Sequence, residues 1–222
     1  MVVLMLVTAC GNGQDEVMPV RESARIVIVT DEGVRLRAAR TDRVAVEGRV
    51  RARWSEGSAT LDLSCPEHGG CERMPTVTVP LAASVTVSAH NAGIEASGVT
   101  GALELTTVNG DIVVTGVGND DATLRMITQN GSVRGVSQRA AALDAQTTNG
   151  DLILVCDTSP ARLNAATTNG SVRVTLPSGG PPYAVATSTD HGQTHVTVPT
   201  LGQAPHQLSL RTVNGDLSAL AG

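Results

Sequence analysis

Residues 101–117 read GALELTTVNGDIVVTGV, and this stretch decides the fold. Its central Asn-Gly pair recurs through the second half of the chain, with spacings of 21, 19, 20 and 45 residues between successive asparagines. The pairs are Asn109-Gly110, Asn130-Gly131, Asn149-Gly150, Asn169-Gly170 and Asn214-Gly215. A degraded copy at residues 187–192 divides the longest spacing into 22 and 23, and a looser copy lies at residues 91–93. Self-similarity with a period of about 20 residues is typical of solenoids and other repeat folds.

Apolar and polar residues alternate on both sides of each Asn-Gly pair. Leu103 and Leu105 precede the pair at Asn109, and Ile112 and Val114 follow it. Most copies carry aliphatic residues at the same offsets, with Thr, Glu, Asp, Arg, Asn or Ser between them. This period of two indicates two short strands per repeat, each with one buried face. The Asn-Gly pair between the strands is expected to supply the positive φ of a tight corner.

Two architectures fit this pattern. In an array of hairpins, each Asn-Gly pair would be a two-residue turn between antiparallel strands. In a β-solenoid, matching positions would stack about 4.8 Å apart on successive coils. We favour the solenoid, because stacked coils explain why the same corner and the threonines before it recur: identical side chains then form Asn and Thr ladders. The sequence therefore predicts an all-β, single-stranded β-solenoid of about seven coils of about 20 residues, with additional N-terminal strands.

The residue after each glycine supports stacking. These positions carry Asp111, Ser132, Asp151, Ser171, Gln193 and Asp216. No two carboxylates fall on successive copies, as repulsion between like charges on neighbouring coils would require.

Composition limits the function. The net charge of −5 and the isoelectric point near 5.5 argue against a nucleic-acid partner. The only aromatic residues are Trp54 and Tyr183, few for a domain that stacks bases or sugars. We divide the chain into a signal segment (1–10), a flexible tether (11–24) and a solenoid domain (25–222). Within that domain, residues 25–80 form N-terminal strands and residues 81–222 form the Asn-Gly repeats.

Residues 1–10 read MVVLMLVTAC and resemble a bacterial lipoprotein signal, with residues 7–10 as the lipobox. The resemblance implies that Cys10 is diacylated, becomes the mature N-terminus and anchors the protein to the membrane. The segment departs from the usual pattern because no basic residue precedes its apolar run. The alternative is a buried strand that ends in a chance cysteine.

The other cysteines have separate interpretations. Cys65 and Cys71 flank a turn containing Pro and Gly-Gly, which favours a small disulfide loop in an oxidising compartment. The alternative is a metal site formed by Cys65, His68 and Cys71, but zinc requires a fourth ligand and no second half-site is present. Cys156 lies in an apolar strand and is expected to be a buried small hydrophobe. We expect no metal and no cofactor.

Arginines alternate with apolar residues in the N-terminal strands, at outward-facing positions. They are Arg35, Arg37, Arg49, Arg51 and Arg53. This pattern fits either a solvated outer face, with acidic neighbours nearby, or a surface for an anionic polymer or phospholipid headgroups. We favour the solvated face.

Two groups of residues raise the question of catalysis. Asp111 and Asp151 would lie two coils apart, about 9.6 Å, near the upper limit for an inverting glycosidase. Asp after Asn-Gly is also what a turn prefers. The second group, Asp190, His191 and His195, is explained more simply by a solvated turn. We assign no catalytic residues.

The sequence resembles the bacterial putative-adhesin family of unknown function over residues 25–222. The resemblance rests on TVTVP at 76–80, on Val85 and Val87, and on repeats of the form LxLTTxNGDI. It implies a β-solenoid-like fold and an extracytoplasmic or membrane-tethered location. We therefore expect a non-catalytic lipoprotein that binds or scaffolds an envelope glycan or protein. The alternatives are an envelope-stress or signalling accessory that pairs edge to edge with a membrane partner, and a glycan-processing β-helix enzyme.

Overall fold

The computed structural model describes residues 16–19, 25–47, 51–55, 58–64 and 74–222. Within these ranges the regular secondary structure is all β, which confirms the predicted class. The proposed lipidation site Cys10, the proposed disulfide partners Cys65 and Cys71, and His68 lie outside the described residues, as does Arg49.

Twenty-one strands are present in the described residues. The N-terminal strands are β1 (Glu16–Pro19), β2 (Arg25–Thr30), β3 (Val34–Ala39), β4 (Arg43–Val46), β5 (Arg51–Ser55), β6 (Ser58–Asp62) and β7 (Thr76–Pro80). The repeat region contains β8 (Ser84–Ala89), β9 (Ile94–Ser97), β10 (Leu103–Thr106), β11 (Ile112–Thr115), β12 (Thr123–Ile127), β13 (Val133–Gln138), β14 (Ala142–Gln146), β15 (Leu152–Cys156), β16 (Arg162–Ala166), β17 (Val172–Leu176), β18 (Tyr183–Ser188), β19 (Thr194–Val196), β20 (His206–Arg211) and β21 (Leu217–Ala221).

The strands form two sheets. Sheet A has eleven strands in the order β1-β4-β7-β3-β9-β11-β13-β15-β17-β21-β19, and sheet B has ten in the order β18-β20-β16-β14-β12-β10-β8-β2-β6-β5. In the repeat region, strands alternate between the sheets along the chain, so each consecutive pair from β8/β9 to β20/β21 forms one coil. Neighbouring strands of successive coils pair in parallel, for example Leu103 of β10 beside Leu124 of β12.

The Asn-Gly pairs join strands that belong to different sheets. The pair at Asn109 follows β10 of sheet B and precedes β11 of sheet A. A hairpin would instead place the two flanking strands side by side and antiparallel. The solenoid interpretation is therefore confirmed, and the array of hairpins is wrong.

The C-terminal coils do not stack in the order of the sequence. In sheet B, β20 pairs with both β16 and β18, and in sheet A, β21 pairs with both β17 and β19. The coil β20/β21 therefore lies between β16/β17 and β18/β19. The connection at residues 177–182 carries the chain past this position, and the connection at 197–205 brings it back. The edge strands at this end of the stack are therefore β18 and β19 rather than the last strands of the chain.

The N-terminal end shows a similar exchange. The coil β2/β3 lies between β8/β9 and the pair β6/β7, although β6 and β7 follow it in sequence. Beyond this pair, β5 joins β6 antiparallel, and β4 joins both β7 and β1 antiparallel. Antiparallel strands thus form the N-terminal end of the stack, with β1 and β5 as the terminal strands of their sheets.

The core lies between the two sheets and is aliphatic. Inward residues such as Leu105, Ile112, Val114 and Leu154 are fully buried in one continuous cluster. Cys156 belongs to this cluster, as predicted from its strand. At one inward position of sheet B, leucine recurs on five neighbouring strands, and the residues are Leu103, Leu124, Leu143, Leu163 and Leu208.

Candidate functional site

The Asn-Gly corners form a column. Parallel backbone bridges link Asn109 to Asn130, Asn130 to Asn149, Asn149 to Asn169 and Asn169 to Asn214, and the column ends with a bridge from Asn214 to His191. The side chains form a ladder in which each Nδ2 donates to the Oδ1 of the preceding coil. These bonds join Asn109 to Asn91 (3.0 Å), and Asn130 to Asn109, Asn149 to Asn130, Asn169 to Asn149 and Asn214 to Asn169 (each 2.8 Å). The degraded copy therefore supplies one more coil, with His191 at the corner.

A row of threonines forms a second ladder, as expected from their recurrence before each corner. Each lies two residues before the corner position, and its Oγ1 donates to a corner carbonyl of the neighbouring coil. Thr128 donates to the Gly110 carbonyl oxygen at 2.9 Å and Thr147 to that of Gly131 at 2.8 Å. Thr107, Thr167, Thr189 and Thr212 make the equivalent bonds at 2.9–3.0 Å. The signal was present in the sequence, since threonine recurs at this offset in every one of these copies.

Close stacking explains the corner glycines. A Cβ on Gly131 would lie 2.1 Å from the Gly110 carbonyl oxygen, and one on Gly170 would lie 2.0 Å from that of Gly150. No real Cβ approaches a backbone oxygen so closely, so these positions exclude every other residue. The predicted positive φ is present at three corner glycines, Gly150, Gly170 and Gly215 (148–155°), and absent from Gly110, Gly131 and the corner asparagines. Glycine is required at the corner because the backbone of the neighbouring coil leaves no room for a Cβ.

The row that follows the glycines also has a structural role. Asp111 Oδ1 accepts the Ser132 backbone N–H at 2.7 Å, and Asp151 Oδ1 accepts that of Ser171 at 2.8 Å. Asp216 Oδ1 accepts the backbone N–H of Gln193 at 2.8 Å. Ser132 lies between Asp111 and Asp151 in this row. Each of these carboxylates thus binds the backbone of a neighbouring coil.

The histidine group does not form a site. Asp190, His191 and His195 are all exposed on the edge coil, and none of the hydrogen bonds or ion pairs found among the described residues joins them. His191 occupies the corner column, whereas His195 lies in β19 on the outside of sheet A. In the described part of the chain, no three His, Cys, Asp or Glu side chains are placed to hold a metal ion.

The opposite corner contains a buried polar cluster that sequence reasoning missed. The Tyr183 hydroxyl donates to the Pro160 carbonyl oxygen at 2.9 Å, and His206 Nδ1 lies 3.0 Å from the same oxygen. The two rings pack edge to face with centroids 5.3 Å apart. Burial raises the pKa of Tyr183 to about 12, so the hydroxyl remains a donor at neutral pH. A cleft of about 350 Å³ beside them is lined by Ala140, Ala141, Ala161 and by the polar residues Asp120, Thr158, Ser159 and His206.

Both outer faces carry arginines with and without an ion pair. On sheet B, Arg125 lies between Glu104 (3.6 Å) and Asp144 (3.0 Å). On sheet A, Arg35 pairs with Glu95 at 2.7 Å beside a shallow depression of about 160 Å³. The exposed arginines that make no ion pair with any described residue include Arg162 and Arg211 on sheet B and Arg134 and Arg173 on sheet A. Unpaired arginines therefore do not distinguish one face from the other.

Among the described residues, no helix is long and apolar enough to cross a membrane.

Comparisons with known proteins agree with this architecture. A crystal structure of a putative adhesin from Bacteroides fragilis NCTC 9343 aligns with a TM-score of 0.54 at 11% identity, covering 93% of this chain and 96% of that one. A putative adhesin from Parabacteroides distasonis ATCC 8503 aligns at 0.46 and 12% identity, covering 95% and 98%. A putative cell adhesion protein from Clostridium sporogenes ATCC 15579 aligns at 0.38 and 9% identity, covering 94% and 99%.

At such identities the Bacteroides fragilis alignment establishes a shared fold and nothing about activity. No curated protein sequence matches the chain. The sequence profile of the family described as Toastrack DUF4097 matches residues 76–219, which is more than half of the chain and spans all the Asn-Gly corners. The chain therefore belongs to the Toastrack DUF4097 family.

Proposed function

We propose that this protein is a non-catalytic, extracytoplasmic lipoprotein that binds or scaffolds a component of the cell envelope. The proposal rests on the rows of hydrogen-bonded side chains at the corners of the coils. Three rows of side chains, of Asn, Thr and alternating Asp and Ser, bond each coil to the next. The polar residues that a hydrolase would use for chemistry are here committed to holding the backbone.

The ladders have a physical consequence for binding. A surface whose strands are fixed by cross-coil hydrogen bonds loses little conformational entropy when a partner binds. Parallel strands also present their outward side chains in straight rows, about 4.8 Å apart from coil to coil. Such a surface suits an extended or flat partner. The Bacteroides fragilis structure that shares this fold is called a putative adhesin, which is consistent with a binding role.

The envelope location rests on the sequence of residues 1–10. If Cys10 is the lipidated residue, the native protein fractionates with membranes and its N-terminal peptide carries a diacylglyceryl cysteine. Mass spectrometry of the mature N-terminus measures this directly. The matched control is Cys10→Ala, which should move the protein to the soluble fraction. An unmodified Cys10, with no difference between the two proteins in fractionation, contradicts the anchor.

The non-catalytic role has its own test. Asp111→Asn and Asp151→Asn keep an oxygen that can accept the backbone N–H, and they remove the carboxylate that a glycosidase would need. The wild-type protein should release no sugars from envelope glycans, and the double variant should behave identically. Hydrolysis by the wild-type protein that is lost in the variant contradicts the proposal and favours the glycan-processing alternative.

One observation favours the accessory-protein alternative. The strands β18 and β19 each have a partner on only one side along most of their length, so the C-terminal end of the stack presents open edges of both sheets. The connection near Pro199 covers only the start of β18, where the Tyr183 backbone N–H donates to the Pro199 carbonyl and its carbonyl accepts the Leu201 N–H. Open edges can accept a strand from another protein. Crosslinking from Ser188 to a membrane protein in cells would favour this role.

A further inference from the structure

We propose that Asn214 is a site of spontaneous deamidation, and that the stack protects the other described Asn-Gly corners from the same reaction. Deamidation converts an asparagine followed by glycine into aspartate or isoaspartate. The inference assigns a covalent modification to one corner of the molecule, and it does not depend on the proposed envelope function.

The reaction needs a free backbone N–H on the glycine. The backbone nitrogen of Gly215 would attack Cγ of the Asn214 side chain and form a cyclic imide, the succinimide. The Cγ–Nδ2 bond breaks, and ammonia leaves with the proton of the Gly215 N–H. Water then opens either imide bond, which gives aspartate or isoaspartate. Glycine favours the attack because it has no Cβ to hinder its own nitrogen.

In the folded chain these glycine N–H groups are hydrogen-bonded. Each donates to the carbonyl oxygen of the corner residue on the next coil. The bonds join Gly110 to Asn130 and Gly131 to Asn149 (each 3.0 Å), and Gly150 to Asn169, Gly170 to Asn214 and Gly215 to His191 (each 2.9 Å). A corner can therefore react only when the coil that accepts its glycine N–H separates from it, which is a local opening of the stack.

Inside the stack, aliphatic side chains oppose this opening. Gly170 donates its N–H to the coil β20/β21. The inward residues of that coil are each 1% exposed or less, and they are Leu208, Leu210, Leu217 and Ala219. Separating β20/β21 from β16/β17 would expose these side chains to water, which is unfavourable. The corner at Asn169 is therefore protected, and the corners at Asn109, Asn130 and Asn149 lie deeper in the stack.

The coil that accepts the Gly215 N–H has much less aliphatic contact. This edge coil, β18/β19 with its corner at residues 189–193, places Thr187 beside Leu210 and Thr194 beside Leu217. Both threonines are exposed. Where the interior coils bury a leucine, the edge coil thus carries a polar side chain, so its separation exposes less apolar surface.

The anchor of the edge coil lies away from its corner. At the start of β18, Tyr183 is buried and its hydroxyl donates to the Pro160 carbonyl oxygen at 2.9 Å. Beyond this point the aliphatic residues Val185 and Val196 are only half-buried. The end of β18 that leads into the corner is therefore the part of the edge coil that opens most easily.

The asparagine ladder also ends at this corner. Asn214 Nδ2 donates to Asn169 Oδ1 at 2.8 Å, but the next corner residue is His191. None of the hydrogen bonds among the described residues reaches Asn214 Oδ1, whereas the Oδ1 of each preceding corner asparagine accepts a bond from the next coil. The Asn214 side chain is thus held at one atom instead of two, which leaves Cγ freer to turn towards the Gly215 nitrogen.

Peptide mapping tests the site. The full chain is kept at pH 8 in its native state and, in parallel, in urea. Samples are digested at acid pH, where the reaction is slow, and each corner peptide is followed by mass spectrometry. Each interior leucine replaced by an exposed threonine should favour opening by at least about tenfold. In the native protein, Asn214 should therefore convert about 100-fold faster than Asn169, whereas in urea the two should convert at similar rates. Asn12, which also precedes a glycine, lies outside the described residues and does not enter this comparison.

A disulfide that closes the edge coil supplies the matched control. Ser188 and Arg211 are exposed register partners on β18 and β20, close to the corner. Neighbouring strands are about 4.8 Å apart, which a disulfide can span. In the variant Ser188→Cys with Arg211→Cys, oxidation should slow conversion of Asn214 by at least about tenfold relative to the reduced form of the same protein.

Deamidation should in turn release the edge coil. Isoaspartate adds a methylene group to the backbone at the corner, so Gly215 no longer aligns with the His191 carbonyl. Hydrogen exchange of residues 183–196 should therefore become faster in the converted protein. The variant Asn214→Gln forms the larger imide ring slowly, and it should keep its protection over the same incubation. Unchanged exchange after conversion would contradict the release of the edge coil.

Three results overturn the proposed site. They are conversion of Asn169 as fast as that of Asn214 in the native protein, conversion of Asn214 in urea but not in the native protein, and equal Asn214 rates in the oxidised and reduced forms of the double variant. Because the main comparison uses the unaltered chain, it does not depend on whether any variant folds.

Discussion

At the scale of single residues, the corner motif Thr-x-Asn-Gly assigns one task to each position. Thr128 bonds to the neighbouring coil through its hydroxyl, Asn130 through its amide, and Gly131 by leaving room for the backbone. Thr107, Thr128 and Thr212 are each 2% exposed or less. Removing such a hydroxyl would therefore leave a corner carbonyl without a hydrogen-bond donor.

Gly131→Ala tests the packing constraint. The added Cβ would meet the Gly110 carbonyl oxygen at 2.1 Å, so two coils would have to separate. We expect a loss of about 3 kcal/mol or more in the free energy of unfolding, measured by chemical denaturation. Gly202→Ala is the control, because nothing lies within 4 Å of its added Cβ. Equal stability of the two variants would contradict the close approach at the corner.

Cys156 makes a prediction about pH. Burial, and to a smaller extent the charge of Asp157, raises the pKa of the Cys156 thiol to about 12. The folded state therefore holds this proton more tightly than the unfolded state, whose thiol has a pKa of about 8.5. The resulting stabilisation is complete below about pH 8.5 and is lost as the pH rises towards 12.

Two measurements check this. The free energy of unfolding should fall between pH 8.5 and 10.5, and it should fall less steeply in Cys156→Ala. At pH 8, iodoacetamide should leave Cys156 unmodified in the native protein and alkylate it in urea, as read from the mapped peptide. Rapid alkylation of Cys156 in the native state would show that the thiol is accessible.

At the scale of strands and coils, much of the fold was predictable and the order of the coils was not. The Asn-Gly spacing identified each coil, and the alternation around Asn109 identified the buried faces. Every coil presents the same pattern of hydrogen bonds and similar aliphatic width, so local sequence does not determine which coil lies beside which. The alternation of Asp and Ser fits both orders, since Ser171 is followed by an uncharged Gln193 in sequence and by Asp216 in space.

The candidate site was likewise only partly predictable from the sequence. The ladder of asparagines followed from their period, because stacking identical corners aligns their amides. The bulge that buries Gln138 did not, because nothing in VRGVSQ marks its polar last residue as an inward one.

Truncation after Ala204 tests the inserted coil. It removes β20 and β21, which are the lateral partners of β18 and β19. Hydrogen exchange should then show that residues 183–196 lose their amide protection, whereas the strands from β10 to β15 keep theirs. Coils stacked in sequence order would leave β18 paired with β16, so full protection of residues 183–196 in the truncated chain would contradict the observed order.

At the scale of the whole molecule, the described part of the chain is a stack that ends in the antiparallel strands β1 and β5 on one side and in the parallel strands β18 and β19 on the other. Its corner column is bonded from Asn91 to Asn214 without interruption. Each functional proposal depends on this stack, because it determines which outward residues are neighbours and which strands are edges.

Engineered disulfides test the stack most directly. The outward residues Asn164, Ser209 and Ala186 lie in one row of sheet B, with Ser209 in the middle. Adjacent positions are about 4.8 Å apart and the outer two about 9.6 Å, whereas a disulfide needs Cα atoms within about 7 Å. Asn164→Cys with Ser209→Cys should therefore oxidise to an intramolecular disulfide, identified by mass spectrometry of the linked peptides, and Asn164→Cys with Ala186→Cys should not. Efficient bonding of the second pair and none of the first would contradict the account.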